Sequence, residues 1–131
     1  VKALILDTGA LIALEDNNRK VWEMIKIAVD EDAFVGVPAG VLAQVYRDGA
    51  RQANLMRALK SCEDLVLDGV TARVVGSLCA EAQVSDVVDG SVAVEAAKLA
   101  RSHDTVILTS DPGDIEVLLG CISTEARLVS V

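Results

Sequence analysis

Ala3-Leu4-Ile5-Leu6-Asp7-Thr8-Gly9-Ala10 is a short aliphatic run that stops abruptly at an acid. A run of this length without polar alternation suits a strand buried on both faces, as in a parallel sheet covered by helices. Four further runs have the same character: Ala33 to Val37, Leu65 to Leu67, Thr105 to Leu108 and Arg127 to Val131. Between them, helical spacing of apolar residues predicts helices over Arg19 to Val29, Ala39 to Arg47, Arg51 to Lys60, Val70 to Gln83, Val87 to Ser102 and Ile115 to Leu119. Strands alternating with helices specify the α/β class, with a parallel sheet of about five strands flanked by helices. Pro38 and Pro112 each suit the first turn of a helix, where a missing N–H costs nothing. The segment Val70 to Ser102, interrupted near Val84-Ser85-Asp86, reads as a helix pair inserted between strands.

At 131 residues the chain has the size of one domain, and residues 1–131 are expected to form one. Hydrophobic residues make up 52% and aromatics 2%, so the core must be built from Val, Leu, Ile and Ala. The formal net charge of −8 argues against a broad basic surface for nucleic acid. It leaves open an acidic pocket that reaches a phosphate through a bound divalent cation, which reverses the local field. Cys62, Cys79 and Cys121 are odd in number and lack Cys-x-x-Cys spacing, which suits small core residues in a reducing cytoplasm rather than disulfides or zinc. Val1 to Leu6 is too short for a signal sequence and no run approaches a membrane span, so a soluble, cytoplasmic protein with no membrane partner is expected.

The acids fall at informative places. Asp7 ends the first strand, and Asp111 follows Val106-Ile107-Leu108-Thr109-Ser110, with Asp114 one helical turn beyond it. Asp89 lies in Ser85-Asp86-Val87-Val88-Asp89, at the start of a helix. Each alone reads first as an N-cap or a first-turn acid complementing the helix dipole. Jointly, acids following two different strands of a parallel sheet emerge at one sheet edge, where open α/β folds bind ligands. Crowded carboxylates repel unless a cation neutralises them, and an all-oxygen set without His or Cys suits Mg2+, or Mn2+, rather than zinc. Such an ion polarises a phosphodiester and activates water.

Three stretches, Leu6-Asp7-Thr8-Gly9-Ala10, Ser85-Asp86-Val87-Val88-Asp89 and Leu108-Thr109-Ser110-Asp111-Pro112-Gly113-Asp114, carry a resemblance to PIN-domain ribonucleases. In their order and separation the chain resembles a PIN domain from end to end, and the toxin component of VapBC-type toxin–antitoxin systems in particular. The resemblance implies a PIN-like fold and Mg2+-dependent cleavage of RNA. It implies that Asp7 and Asp89 hold the principal metal, and that Asp111 and Asp114 complete the acidic pocket or bind a second ion. It also implies a cognate antitoxin partner and a homodimer. In the segment Val37-Pro38-Ala39-Gly40-Val41-Leu42-Ala43-Gln44-Val45-Tyr46-Arg47, which resembles the helix that carries a glutamate in that family, the matching position is Gln44. A glutamine oxygen can accept or ligate, but it brings no charge and cannot act as a base.

That departure motivates a second reading, a catalytically impaired PIN-like module that acts mainly by binding antitoxin or RNA. A third, a phosphoryl-accepting receiver domain, fits poorly because Asp7 stands without a paired acid and the last lysine, Lys98, lies within a helix. His103 is the only histidine, follows a helix and is expected to be exposed. No Gly-x-Ser-x-Gly, Gly-x-Gly-x-x-Gly or P-loop pattern is present. Arg47 and Arg51 could steer an RNA backbone, although solvated surface is the commoner meaning of such residues. With only Trp22, Phe34 and Tyr46 as aromatics there is little for a base-stacking platform, and the periodicity around Trp22 assigns it to the core or a subunit contact.

Overall fold

The computed structural model describes residues 2–131; Val1 lies outside the described residues. Five strands, β1 (Lys2–Leu6), β2 (Phe34–Pro38), β3 (Glu63–Leu65), β4 (Asp104–Thr109) and β5 (Arg127–Ser130), form one sheet in the order β3-β2-β1-β4-β5. All four pairings are parallel. Seven helices connect them: α1 (Thr8–Glu15), α2 (Arg19–Asp30), α3 (Ala39–Val45), α4 (Ala53–Leu59), α5 (Gly69–Ala82), α6 (Val87–Ala100) and α7 (Pro112–Gly120). This is a PIN-like α/β architecture, and the five predicted strands and the inserted helix pair α5–α6 are all present.

From β1 the chain winds outward to β2 and β3, then crosses back through α5 and α6 to β4 on the other side of β1. Because parallel crossovers are right-handed, this reversal puts α1 to α4 on one face of the sheet and α5 to α7 on the other. Helix α6 is the most deeply set, with every residue from Gly90 to Ala96 buried. Its Val92 and Ala96 join the core of the sheet with Ile5, Leu6, Ile107 and Leu108. Its Ala93 and Val94 face away, into a second cluster with Val75, Leu78, Cys79 and Leu118. A helix sandwiched in this way has its N-terminus held rigidly, and that N-terminus carries Asp89.

Helix α1 is absent from the sequence-based prediction. Its residues Gly9-Ala10-Leu11-Ile12-Ala13-Leu14 are apolar almost all round, and a helix of that kind has no amphipathic period to detect. It is started by Asp7, whose Oδ1 accepts from the Ala10 N–H at 2.8 Å. Strand β3 lies two residues earlier than predicted. It is an edge strand whose position follows from pairing with Gly36, Val37 and Pro38, and the apolar Val66 and Leu67 lie beyond it, exposed. Pro38 ends β2 and precedes the first turn of α3 instead of occupying it. Helix α3 stops at Val45, and the predicted helix over 51–60 is a 3-10 turn over Ala50–Gln52 followed by α4. Pro112 does open α7 as expected.

Cys79 is buried and Cys62 and Cys121 are half-buried, all three as free thiols. Trp22 is half-buried against the main core, its indole N–H donates to the Leu14 carbonyl at 3.3 Å, and Arg57 stacks on its ring at 4.6 Å. No helix among the described residues is long and apolar enough to cross a membrane.

The helix that lacked a sequence signature can be tested by its burial. Leu11 is fully buried and Ile12 is 44% exposed. Leu11→Ala should cost about 2–5 kcal/mol in urea unfolding, and Ile12→Ala less than about 1 kcal/mol. Equal losses would mean that α1 does not present this face to the core.

Candidate active site at the carboxyl edge of the sheet

Pairing of β1 with β4 sets Leu6 opposite Leu108, and the Asp7 N–H extends that ladder by donating to the Leu108 carbonyl at 3.2 Å. The two acid-bearing turns therefore leave the sheet side by side. This is also where the strand order reverses, the place at which open α/β sheets form a crevice. Asp7 is only 5% exposed. Burial raises its pKa above the ordinary carboxylate value, and the charge of Asp111 adds to the rise. The Thr109 hydroxyl and the N–H groups of Ala10 and Gly9 act in the opposite direction by favouring the anion.

Asp111 caps α7, its Oδ1 accepting weakly from Gly113 N–H at 3.4 Å, while its own N–H donates to Thr109 Oγ1 at 3.1 Å. Asp114 sits in the first turn of that helix, and both acids are exposed. At α6 the cap is Asp86, whose Oδ1 accepts from Val88 and Asp89 N–H groups at 3.0 and 3.1 Å. Asp89, half-buried in the first turn, has its pKa pushed up to about 6. Burial is the largest cause, followed by the charges of Asp86, Asp7, Asp114 and Asp111. Acids from three separate segments thus act on one carboxyl group.

Gln44 joins them from α3, its Oε1 accepting from the Thr8 hydroxyl at 2.7 Å, one residue from Asp7. All five residues singled out in the sequence are therefore on the same edge. They form a shared field and not a closed ligand cage, since among the described residues no three Asp, Glu, His or Cys side chains make a metal-holding cluster. A carboxylate has about four acceptor sites, so capping by one oxygen leaves Asp7 and Asp111 capacity for a cation. Mg2+ keeps several waters and is commonly bound through one or two carboxylates, and this donor set of oxygen alone fits it.

Other expectations fare differently. His103 is half-buried rather than exposed, at the C-terminal end of α6 with Nδ1 2.8 Å from Ser102 Oγ. The Arg47 guanidinium, just beyond α3, is turned back on the end of that helix, donating to the Ala43 and Tyr46 carbonyls at 3.0 and 2.8 Å. Sequence reasoning gave no role to Thr8 or Thr109, whereas Asp86, whose spacing to Asp89 reads as a cap, is indeed the N-cap of α6. The available signal for Thr109 was a hydroxyl at the last position of an apolar strand. Fully buried there, it holds the Asp111 backbone and favours the charged form of Asp7. A groove of about 800 Å³ between α5, α6 and the loop before β5, lined by Val74, Leu78, Val94 and Ile122 among others, contains none of these acids.

No protein-family model matches the chain, and no curated protein matches it significantly. Among solved structures, the chain is similar to a chain in the crystal structure of VapBC2 from Rickettsia felis bound to a DNA fragment from their promoter. The TM-score is 0.72 at 12% sequence identity, with 98% of each chain covered. At that identity the likeness shows the fold.

The raised Asp89 pKa makes a signed prediction for the protein in chelator. Between about pH 4 and about 6 the folded chain holds this proton and the unfolded chain releases it. Stability from this group is therefore lost as pH rises through that window, and Asp7 acts in the same direction. Asp89→Asn should raise Tm at pH 7.5 by on the order of 3 °C, with the difference shrinking toward pH 4. A lower Tm for the variant at pH 7.5 would show that the Asp89 charge is not under strain.

Proposed function

We propose that this chain is a Mg2+-dependent endoribonuclease, the toxin of a type II toxin–antitoxin system, with Asp7, Asp89, Asp111 and Asp114 as its acidic site. The observation that carries the reading is the β1–β4 register, which brings Asp7 and Asp111 out of the sheet side by side, with Asp89 near enough for the charges of Asp7, Asp111 and Asp114 to raise its pKa. Carboxylates so crowded favour a divalent cation, and a PIN-like fold sets them at its usual ligand-binding edge. A bound Mg2+ or Mn2+ would polarise the scissile phosphate and lower the pKa of a water at neutral pH.

The chain's own residues divide the remaining work. Asp7, buried and fixed by the Ala10 N–H, and Asp89, in the first turn of α6, would hold the ion. Asp111 and Asp114 are exposed and can turn toward the ion's waters or a second ion. The surrounding negative charge would turn away an RNA backbone that is not met by the cation, so binding of substrate depends on loading of the site. Neither Arg47, engaged with its own helix end, nor a stacking platform supplies an alternative grip.

Gln44 favours a second reading, an impaired module that works by binding antitoxin or RNA. Its oxygen already accepts from Thr8, and as an amide it adds no charge to the site. An antitoxin partner, a homodimer and a cytoplasmic location follow from the family resemblance, and the fold shared with the VapBC2 structure supports the first of these.

An RNA cleavage assay with Mg2+ compares the chain with Gln44→Glu and Asp7→Asn. Weak or no cutting is expected from the chain, with a gain of about 10- to 100-fold in the glutamate variant and loss in the asparagine variant. Cutting at one rate by all three would remove this edge from the chemistry.

A further inference from the structure

Gly9 lies in the first turn of α1 and has no positive φ, so its backbone conformation does not require glycine. Alanine would favour the helix by about 1 kcal/mol. Space accounts for the residue. A Cβ on Gly9 would overlap the Ser110 Oγ outright, and it would stand 2.5 Å from Ser110 Cβ and 3.1 Å from Ser110 N. The turn after β4 is therefore seated directly in the notch that Gly9 leaves on α1.

We infer that Gly9 and Ser110 form a keyed joint that sets the spacing between Asp7 and Asp111, and are positioning residues for the acidic site. Both sides of the joint end in a site residue. Gly9 is two residues from Asp7, in the turn whose Ala10 N–H holds the Asp7 carboxylate at 2.8 Å. Ser110 lies between Thr109 and Asp111, and the Asp111 N–H is anchored on Thr109 Oγ1 at 3.1 Å. The Leu108 carbonyl bonded to the Asp7 N–H is the last backbone link between the two segments, and the Thr109 hydroxyl adds a side-chain link to the Asp7 carboxylate. Beyond those links, seating of the Ser110 side chain against Gly9 sets how near the two acidic turns approach. Rotating the Ser110 Oγ aside would not make room for a methyl group at residue 9, because Ser110 Cβ and backbone N oppose it as well, so the turn must move outward and take Asp111 with it.

The inference rests on the reading of this edge as a divalent-cation site, and two measurements keep them apart. Mn2+ affinity by calorimetry and thermal unfolding in chelator are read for the parent, Gly9→Ala, Ser110→Gly and the double variant. Gly9→Ala should weaken Mn2+ binding by about tenfold or more, and adding Ser110→Gly, which removes the two closest opposing atoms, should recover most of the loss. Parent-like affinity in Gly9→Ala, or a double variant no better than the single, would overturn the positioning role. If the parent binds no Mn2+, the metal reading fails by itself and the joint is judged on Tm. Recovery of the Gly9→Ala loss by Ser110→Gly supports the joint; additive effects of the two substitutions overturn it.

Discussion

The parallel pairing of β1 with β4 is the constraint from which the rest of the molecule follows. It runs from Lys2 opposite Asp104 to Leu6 opposite Leu108, and one more bond, from the Asp7 N–H to the Leu108 carbonyl, carries the ladder past the end of β1. The chain leaves β1 toward β2 and leaves β4 toward β5, in opposite directions along the sheet, so the helices that follow these strands diverge here and leave a crevice. Every acid discussed above stands on an element that begins at that edge. The fully buried Ile5, Leu6, Ile107 and Leu108 hold the two strands in register beneath them. A slip of one residue would turn the aliphatic side chains to the wrong faces and separate Asp7 from Asp111.

Helix starts impose a second condition on the same acids. Asp7, Asp86 and Asp111 are all N-caps, and Asp89 and Asp114 lie in first turns. The cap and site interpretations are thus compatible: capping by backbone N–H groups is how the fold tolerates clustered negative charge. The balance differs from residue to residue. At Asp7, donors partly offset burial, whereas at Asp89 burial and four neighbouring acids act together and push the pKa to about 6. Gln44 is the place where this charge is relieved, since a carboxylate there would add a further negative group next to Thr8 and Asp7. On the proposed reading, that relief makes the cation-free protein easier to hold together and weakens its grip on a cation.

Much of this was legible from residues alone. Aliphatic runs identified β1, β2, β4 and β5 to within a residue or two, and the first three are buried along most of their length, which leaves a composition that hardly depends on neighbouring strands. The departures share a cause. Helix α1 has no polar face and so no period, β3 is placed by its pairing with β2 and not by its own apolar residues, and α3 ends where Arg47 folds back onto its last carbonyls. Gly9 carried no signal either, since a glycine in a helical first turn has meaning only once Ser110 is seen against it.

By itself the sequence determined the α/β class, the five strands in order and the positions of Asp7, Asp89 and Asp111 at strand ends or helix starts, because these depend on local hydrophobic pattern and capping chemistry. Only the tertiary structure decided that these acids act on one another, that burial and neighbouring charge together raise the Asp89 pKa, and that Thr109, Thr8 and Ser110 belong to the same edge. Electrostatic coupling and steric fit depend on distances between segments far apart along the chain. Those distances are set when β4 inserts beside β1, after a crossover that no local stretch of residues encodes.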